Sequence, residues 1–207
     1  MRPADHTTIN NAFFRRYEPI YDLLVLPLVR IRRRVVVLSG VSPAMNVLDV
    51  ACGTGEQSIA FAHAGASVTG VDLSPDMLGK AKRKGQGMPI TFLQADATVL
   101  PFTDASFDIT TISFALHDMP QEMGLAVLRE MKRVTKPQGL VIIADYRPPS
   151  RVLARLIHAV LGRFESRYYH SFITKGIAWY ASQLALSAVR REVRVGGVAE
   201  IVVCNFK

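Results

Sequence analysis

Residues 46–55 read Asn46-Val47-Leu48-Asp49-Val50-Ala51-Cys52-Gly53-Thr54-Gly55, and this stretch decides the fold. A short apolar, β-branched run ends around a carboxylate, and two glycines then turn the chain toward the helical pattern Glu56-Gln57-Ser58-Ile59-Ala60-Phe61-Ala62-His63-Ala64. Glycine carries no Cβ, so the backbone of such a turn can approach a ligand closely. A second run, Ser67-Val68-Thr69-Gly70-Val71-Asp72, ends in another carboxylate seventeen residues after Gly55. In a strand–turn–helix–strand unit that carboxylate stands at the neighbouring carboxyl edge, placed to accept both hydroxyls of a ribose. Asp72 therefore points to a nucleoside. A Gly-x-Gly alone is a weak signal. A dinucleotide fingerprint also wants Gly or Ala three residues after Gly55, where Ser58 stands, which counts against NAD.

The alternation continues outward from this unit. After Pro75 to Lys84, read as a helix, come the strand-like ITFLQAD from Ile90 and FDITTIS from Phe107. The helical Gln121 to Thr135 is closed by Lys136-Pro137-Gln138-Gly139, and LVIIAD follows from Leu140. Five buried strands alternating with helices predict an α/β fold with a parallel sheet. The tail, Val189 to Lys207, reads as two strands around Gly196-Gly197, an antiparallel hairpin that brings the total to seven. A helical segment is expected from about Asn10 to Ser39, with two more helices near 150–162 and 176–189.

Composition bounds the class. Of 207 residues, 49% are hydrophobic and 20% charged, which disfavours disorder and predicts one packed domain. The run Leu23 to Val29 has seven residues and includes Pro27, far short of the ~20 needed to cross a bilayer. The opening residues lack the apolar core of a signal peptide, so a cytoplasmic location is expected. The two cysteines, Cys52 and Cys204, match no zinc spacing, and neither a structural metal nor a disulfide is expected. The net charge of +8 is unevenly spread. Residues 41–150 carry nine basic and eleven acidic residues, whereas residues 1–40 carry seven and three and residues 151–207 nine and three. The two basic flanks are either a solvated face or an attraction for anions.

NVLDVACGTG, followed by VTGVDLSPDML, QADATVLPFTDASFD and LREMKRVTKPQGLVIIADY, resembles the class I S-adenosylmethionine-dependent methyltransferases across roughly residues 10 to 205. The run LPFTDASFD and the upstream Tyr17-Glu18-Pro19-Ile20-Tyr21-Asp22 make it similar to the ubiquinone/menaquinone-biosynthesis type (methyltransferase type 11). The resemblance implies a Rossmann-like, mostly parallel seven-stranded sheet in the order 3-2-1-4-5-7-6 with helices on both faces. It divides one domain into an N-terminal helical lid (1–40), a cofactor-binding core (41–149), a substrate-side helical insertion (150–190) and a C-terminal hairpin (191–207). The cofactor it implies is S-adenosylmethionine, with S-adenosylhomocysteine as product.

By the same resemblance Gly53 and Gly55 line the methionine and ribose, and Asp49 orders the loop or meets the amino group through water. Asp72 holds the ribose diol, Leu73 and Met77 flank the adenine, and Asp96 with Ala97 meets its amino edge. Ala51 replaces the first glycine of the family's Asp/Glu-x-Gly-x-Gly-x-Gly run. Ser113, Phe114 and His117 follow strand four, where the family closes over the methionine end, and Tyr17 and Tyr21 come from the segment that folds over the cofactor in relatives. His117 and Asp118 are the acid/base candidates, and Tyr146 ends strand five on the ligand side.

The acceptor is expected to be a small molecule or lipid, quinone-like or phospholipid-like. The stretch YEPIYDLLVLPLVRIRRRVVVL also resembles bacterial phospholipid N-methyltransferases. Residues 151–163 place Val152, Leu153, Leu156, Ile157, Val160 and Leu161 on one side of a basic helix, with Arg151, Arg155 and His158 flanking. That side either packs over the active site or lies on an anionic membrane, a peripheral contact at the inner surface. The alternatives are a small soluble anionic metabolite as acceptor, a nicotinamide-dependent oxidoreductase, and a cofactor-binding protein without turnover. Nucleic acid is disfavoured, because SFALHDMP replaces the Asn/Asp-Pro-Pro-aromatic motif, and arsenite chemistry lacks thiols.

Overall fold

A computed structural model describes residues 29–150, 152–163 and 165–206. Tyr17, Tyr21 and most of the expected N-terminal lid lie outside them. Seven strands form one sheet: β1 (Asn46–Val50), β2 (Ser67–Asp72), β3 (Ile90–Gln94), β4 (Phe107–Ser113), β5 (Thr135–Tyr146), β6 (Leu186–Arg194) and β7 (Ala199–Phe206). Their order is β3-β2-β1-β4-β5-β7-β6, the order the resemblance implies. β3, β2, β1, β4 and β5 pair in parallel, and β7 runs antiparallel between β5 and β6.

The helices are α1 (residues 29–39), α2 (Glu56–His63), α3 (Pro75–Lys84), α4 (Gln121–Val134), α5 (Val152–Leu161) and α6 (Tyr169–Gln183). A sheet buried on both faces needs continuous apolar strands, and β1 supplies one, with only Asn46 exposed. One core joins α4 and α6 to the sheet through Leu128, Met131, Phe172 and Tyr180. The other brings Ile31 and Val35 of α1 and Phe61 of α2 against Val47, Ile109 and Ile142. Ile31 and Val35 are one helical turn apart and fully buried, so α1 spends its apolar stripe on the sheet. Arg30 and Arg33 face solvent, and Arg34 pairs with Glu192 of β6 at 2.7 Å.

The structure departs from the sequence reading in the last third. The second late helix runs over Tyr169–Gln183, not 176–189, and residues 186–189 already belong to β6. β7 is eight residues long and its Phe206 pairs with Leu186, so its partner must begin that early. The first strand of the hairpin thus begins at Leu186, where Val189 was expected. α4 also stops one residue sooner, and Thr135 to Gly139 form the start of β5 instead of a loop.

Candidate functional site

Strand order reverses between β1 and β4, so the loops leaving their carboxyl ends diverge and open a crevice between them. The loop after β1 is wound tightly. Ala51, Gly53 and Gly55 have φ of 53°, 53° and 82°, and the Gly55 N–H donates to the Cys52 carbonyl at 2.9 Å. A Cβ on Gly55 would sit 2.8 Å from the Phe92 ring, so the start of α2 tolerates no side chain there. A Cβ on Gly53 would meet nothing within 4 Å, which leaves open space above the loop. Ala51 adopts the left-handed conformation that the family's glycine takes without strain.

Asp72 ends β2 beside this loop. One of its oxygens accepts from the Gly53 N–H at 2.8 Å and the other from the Ser74 N–H at 2.9 Å. A carboxylate has about four acceptor positions, so capacity for two hydroxyls remains. Asp49, 1% exposed, accepts from Ser58 Oγ at 2.6 Å. Burial pushes its carboxyl up to about 7 despite that bond and the charge of Arg32. Ser58 is fully buried in this bond, at the position where a dinucleotide fold needs a Gly or Ala.

The remaining predicted cofactor residues line the same edge. Leu73 follows Asp72 and is 48% exposed, and Met77 lies half-buried in the first turn of α3, capped by Ser74. Asp96 is exposed after β3, with one oxygen accepting from the Thr98 N–H and hydroxyl, and Ala97 beside it is half-buried. Ser113 ends β4, and its buried hydroxyl has no partner among the described residues. The open space above Gly53, the spare acceptor positions of Asp72 and the orphan hydroxyl of Ser113 suit a hydroxyl-rich nucleoside with a polar tail.

The acid/base candidates converge one strand further on. Asp145 of β5, 1% exposed, accepts from the backbone N–H groups of Leu116, His117 and Tyr146. Its Oδ1 also lies 2.7 Å from His117 Nδ1. His117 Nε2 faces Glu165 at 3.3 Å and Asp118 at 3.6 Å. Burial alone would lower the His117 pKa, but Asp145, Glu165 and Asp118 together hold it well above its usual value, as an imidazolium. Burial raises Asp118, whereas His117 and the Tyr146 hydroxyl keep Glu165 below the usual carboxylate range. Tyr146 donates to Glu165 at 2.8 Å, and burial beside that carboxylate pushes its own phenol far up.

Around these groups stands an aromatic cluster. Tyr146 meets Phe114, His117 and Tyr169 edge to face, with centroids 5.6, 4.8 and 5.2 Å away. Among the described residues, His117, Asp118 and Glu165 each offer a metal-ligand atom, all within 4.8 Å of one another. The imidazolium already supplies the positive charge those carboxylates need, so we assign no metal to them.

Asp145 and Glu165 did not emerge from the sequence as site residues. Both left a trace there: Asp145 is a carboxylate inside an apolar strand, and Glu165 is the one acidic residue between Asp145 and Glu192. On α5 the residue expected to flank the apolar side is instead turned inward. His158 is buried, bonded through Nδ1 to the Tyr169 hydroxyl at 2.5 Å, while Val152, Leu156 and Val160 are 72%, 62% and 57% exposed.

Comparison with known proteins places this geometry in a family. Residues 47–139 match the methyltransferase domain family. A demethylmenaquinone methyltransferase of Renibacterium salmoninarum is 39% identical over 150 residues, which cover 72% of this chain and 62% of that protein. The chain thus spans less than two thirds of that relative's length. A demethylmenaquinone methyltransferase of Beutenbergia cavernae is 33% identical, with 95% of this chain and 85% of that protein covered. Among solved structures, the magnesium protoporphyrin IX methyltransferase of Synechocystis, which has bound S-adenosylhomocysteine, superposes with a TM-score of 0.74 at 21% identity, covering 97% of this chain and all of that one. Glycine turn, strand order and a relative aligned over 95% of this chain agree: the chain belongs to the class I S-adenosylmethionine-dependent methyltransferases of the ubiquinone/menaquinone-biosynthesis type.

Proposed function

We propose that the protein transfers a methyl group from S-adenosylmethionine to a quinone-like aromatic acceptor in its hydroquinone form. The observation that carries this reading is one row of groups along four adjacent strands, from Asp72 on β2 past Gly53 after β1 and Ser113 on β4 to Tyr146 on β5. When bound, the donor supplies a methyl already activated by its sulfonium. The chain's task is to hold the acceptor in line and exclude water.

In this reading Asp72 takes the ribose hydroxyls, Leu73 and Met77 flank the adenine, and Asp96 with Ala97 meets its amino edge. Ala51, Gly53 and Gly55 shape the loop, Asp49 fixes it through Ser58, and Ser113 meets the methionine end. The half-buried rings of Phe114 and Tyr146 offer a wall for a flat acceptor, with the buried Tyr169 packed behind them. The His117 imidazolium, buried with both ring nitrogens facing carboxylates, positions Asp118 and Glu165 beside the acceptor while the ring carbon takes the methyl, the carbon–sulfur bond breaks and S-adenosylhomocysteine leaves. Asp118, raised by burial and partly exposed, accepts the proton that the ring releases.

The test is to supply labelled donor with a demethylated naphthohydroquinone and with soluble anionic phenols. Label in the naphthoquinone supports the assignment. Label only in the soluble phenols would move the acceptor to a small anionic metabolite.

A membrane-held acceptor is supported by the composition and exposure of α5. No acidic residue occurs from 150 to 163, and the exposed Val152, Leu156 and Val160 lie beside the exposed Arg155 and Arg163. Such a face suits the surface of an anionic bilayer. No described helix is long and apolar enough to cross a membrane. The protein is expected to sediment with phosphatidylglycerol vesicles and Leu156→Glu to stay in the supernatant. Equal sedimentation of both would remove α5 as the contact.

A further inference from the structure

Among the described residues, Val195 in the turn between β6 and β7 is the one β-branched residue in the left-handed conformation, with φ of 51°. Branching at Cβ makes that region costly, and Asn or Gly would hold the same turn with less strain. Gly196 and Gly197, which follow at 62° and 98°, are the residues such a backbone calls for. Packing does not compensate the valine, since Val195 is 38% exposed and Val193, at the end of β6, is 43% exposed. Strain kept at an exposed apolar residue serves something outside the folded chain.

β7 runs antiparallel to β5 and Ala199 pairs with Tyr146, so the turn stands at the carboxyl edge of the sheet, where the site lies. The Arg147 N–H donates to the Val198 carbonyl at 3.0 Å, and a Cβ on Gly197 would lie 4.0 Å from that of Ala154 on α5. The turn thus adjoins the helix whose Val152, Leu156 and Val160 are exposed. The charge around it is mostly of one sign. Arg34, Arg147, Arg191 and Arg194 gather on two carboxylates, Glu192 and Glu200, while Arg190 donates to the Leu38 carbonyl at 2.7 Å, which neutralises nothing. Apolar side chains at a turn tip beside surplus arginine match the headgroup layer of an anionic bilayer. A second copy of the chain fits poorly, because edge-to-edge pairing of β6 would set arginines against arginines. We propose that the β6–β7 turn enters an anionic membrane surface beside α5, with Val195 at its tip, so that the sheet edge bearing Tyr146 faces the lipid. The proposal rests on the membrane reading of α5 and deepens it, because a second contact from a different element fixes how the molecule is oriented on the bilayer.

Sedimentation of the full chain with phosphatidylglycerol and with phosphatidylcholine vesicles tests it through Val195→Asn. Asn suits the left-handed backbone, so the variant is expected to melt about 2–4 °C above the wild type. Its partition onto phosphatidylglycerol is expected to fall about tenfold, the range for burying one valine side chain, with S-adenosylhomocysteine bound as before. A residue packed only for the fold does not give that pair of results, a gain in stability with a loss of lipid. If Val195→Asn sediments as the wild type does while Leu156→Glu stays in the supernatant, the turn is overturned and α5 stands. A lower melting temperature for Val195→Asn, or equal binding of the wild type to phosphatidylcholine, overturns the proposal as well. Wild-type protein that sediments with neither lipid defeats the α5 reading itself, a failure of a different kind.

Discussion

Replacing His117 with Gln is expected to lower stability by about 3–5 kcal/mol at mildly acidic pH, the cost of removing one partner from a buried ion pair. His117 and Asp145 are 4% and 1% exposed and 2.7 Å apart, so the loss leaves a buried carboxylate with backbone amides as its remaining donors. The sign of the pH dependence follows from the direction of the shift. The folded pKa lies well above the unfolded value of about 6.5, so the imidazolium's contribution is full below that value. It is lost as pH rises through the folded pKa. Urea midpoints of wild type and His117→Gln should therefore be furthest apart near pH 6 and converge in alkali. A gap that is constant, or that widens with pH, would show His117 to be a neutral structural imidazole.

Asp72→Ala is expected to reduce donor affinity by more than about a hundredfold, since two charge-assisted hydrogen bonds to the ribose diol are lost at ~1.5–3 kcal/mol each. The structure adds a modest stability cost. The same carboxylate accepts from the Gly53 and Ser74 amides, and both would turn to water in the variant. The measurement is S-adenosylhomocysteine titration alongside a melting curve. A folded Asp72→Ala with wild-type affinity would remove this residue from the cofactor site.

Much of this architecture is readable from residues alone, and the reasons are local. The β1 run, its glycine turn and Asp72 are legible because a buried parallel strand must be apolar and a tight turn must carry glycine. The Gly196-Gly197 hairpin declares itself the same way. The start of β6 is not legible, because LSA at 186–188 has no period of its own and becomes strand only by pairing with Phe206 to Cys204. His117 stood out by its chemistry, but its charge state depends on Asp145 and Glu165, which are 28 and 48 positions away in the chain. The orientation of α5 was likewise invisible, since its apolar residues outnumber the places available against the protein.

The carboxylate of Asp145 gathers three backbone amides and one imidazole from the end of β5 and the loop after β4. These two segments therefore behave as a single floor that cannot be pried apart one bond at a time. The connection between α5 and α6 rests on that floor by different means, chiefly Glu165 on Tyr146 and Ser166 on the His117 carbonyl. These side-chain ties, with the ion pair of Glu165 and His117, are separate contacts, whereas the bonds of the floor meet on one carboxylate. Any opening of this corner would therefore begin at the α5–α6 connection, with the joined ends of β4 and β5 left in place.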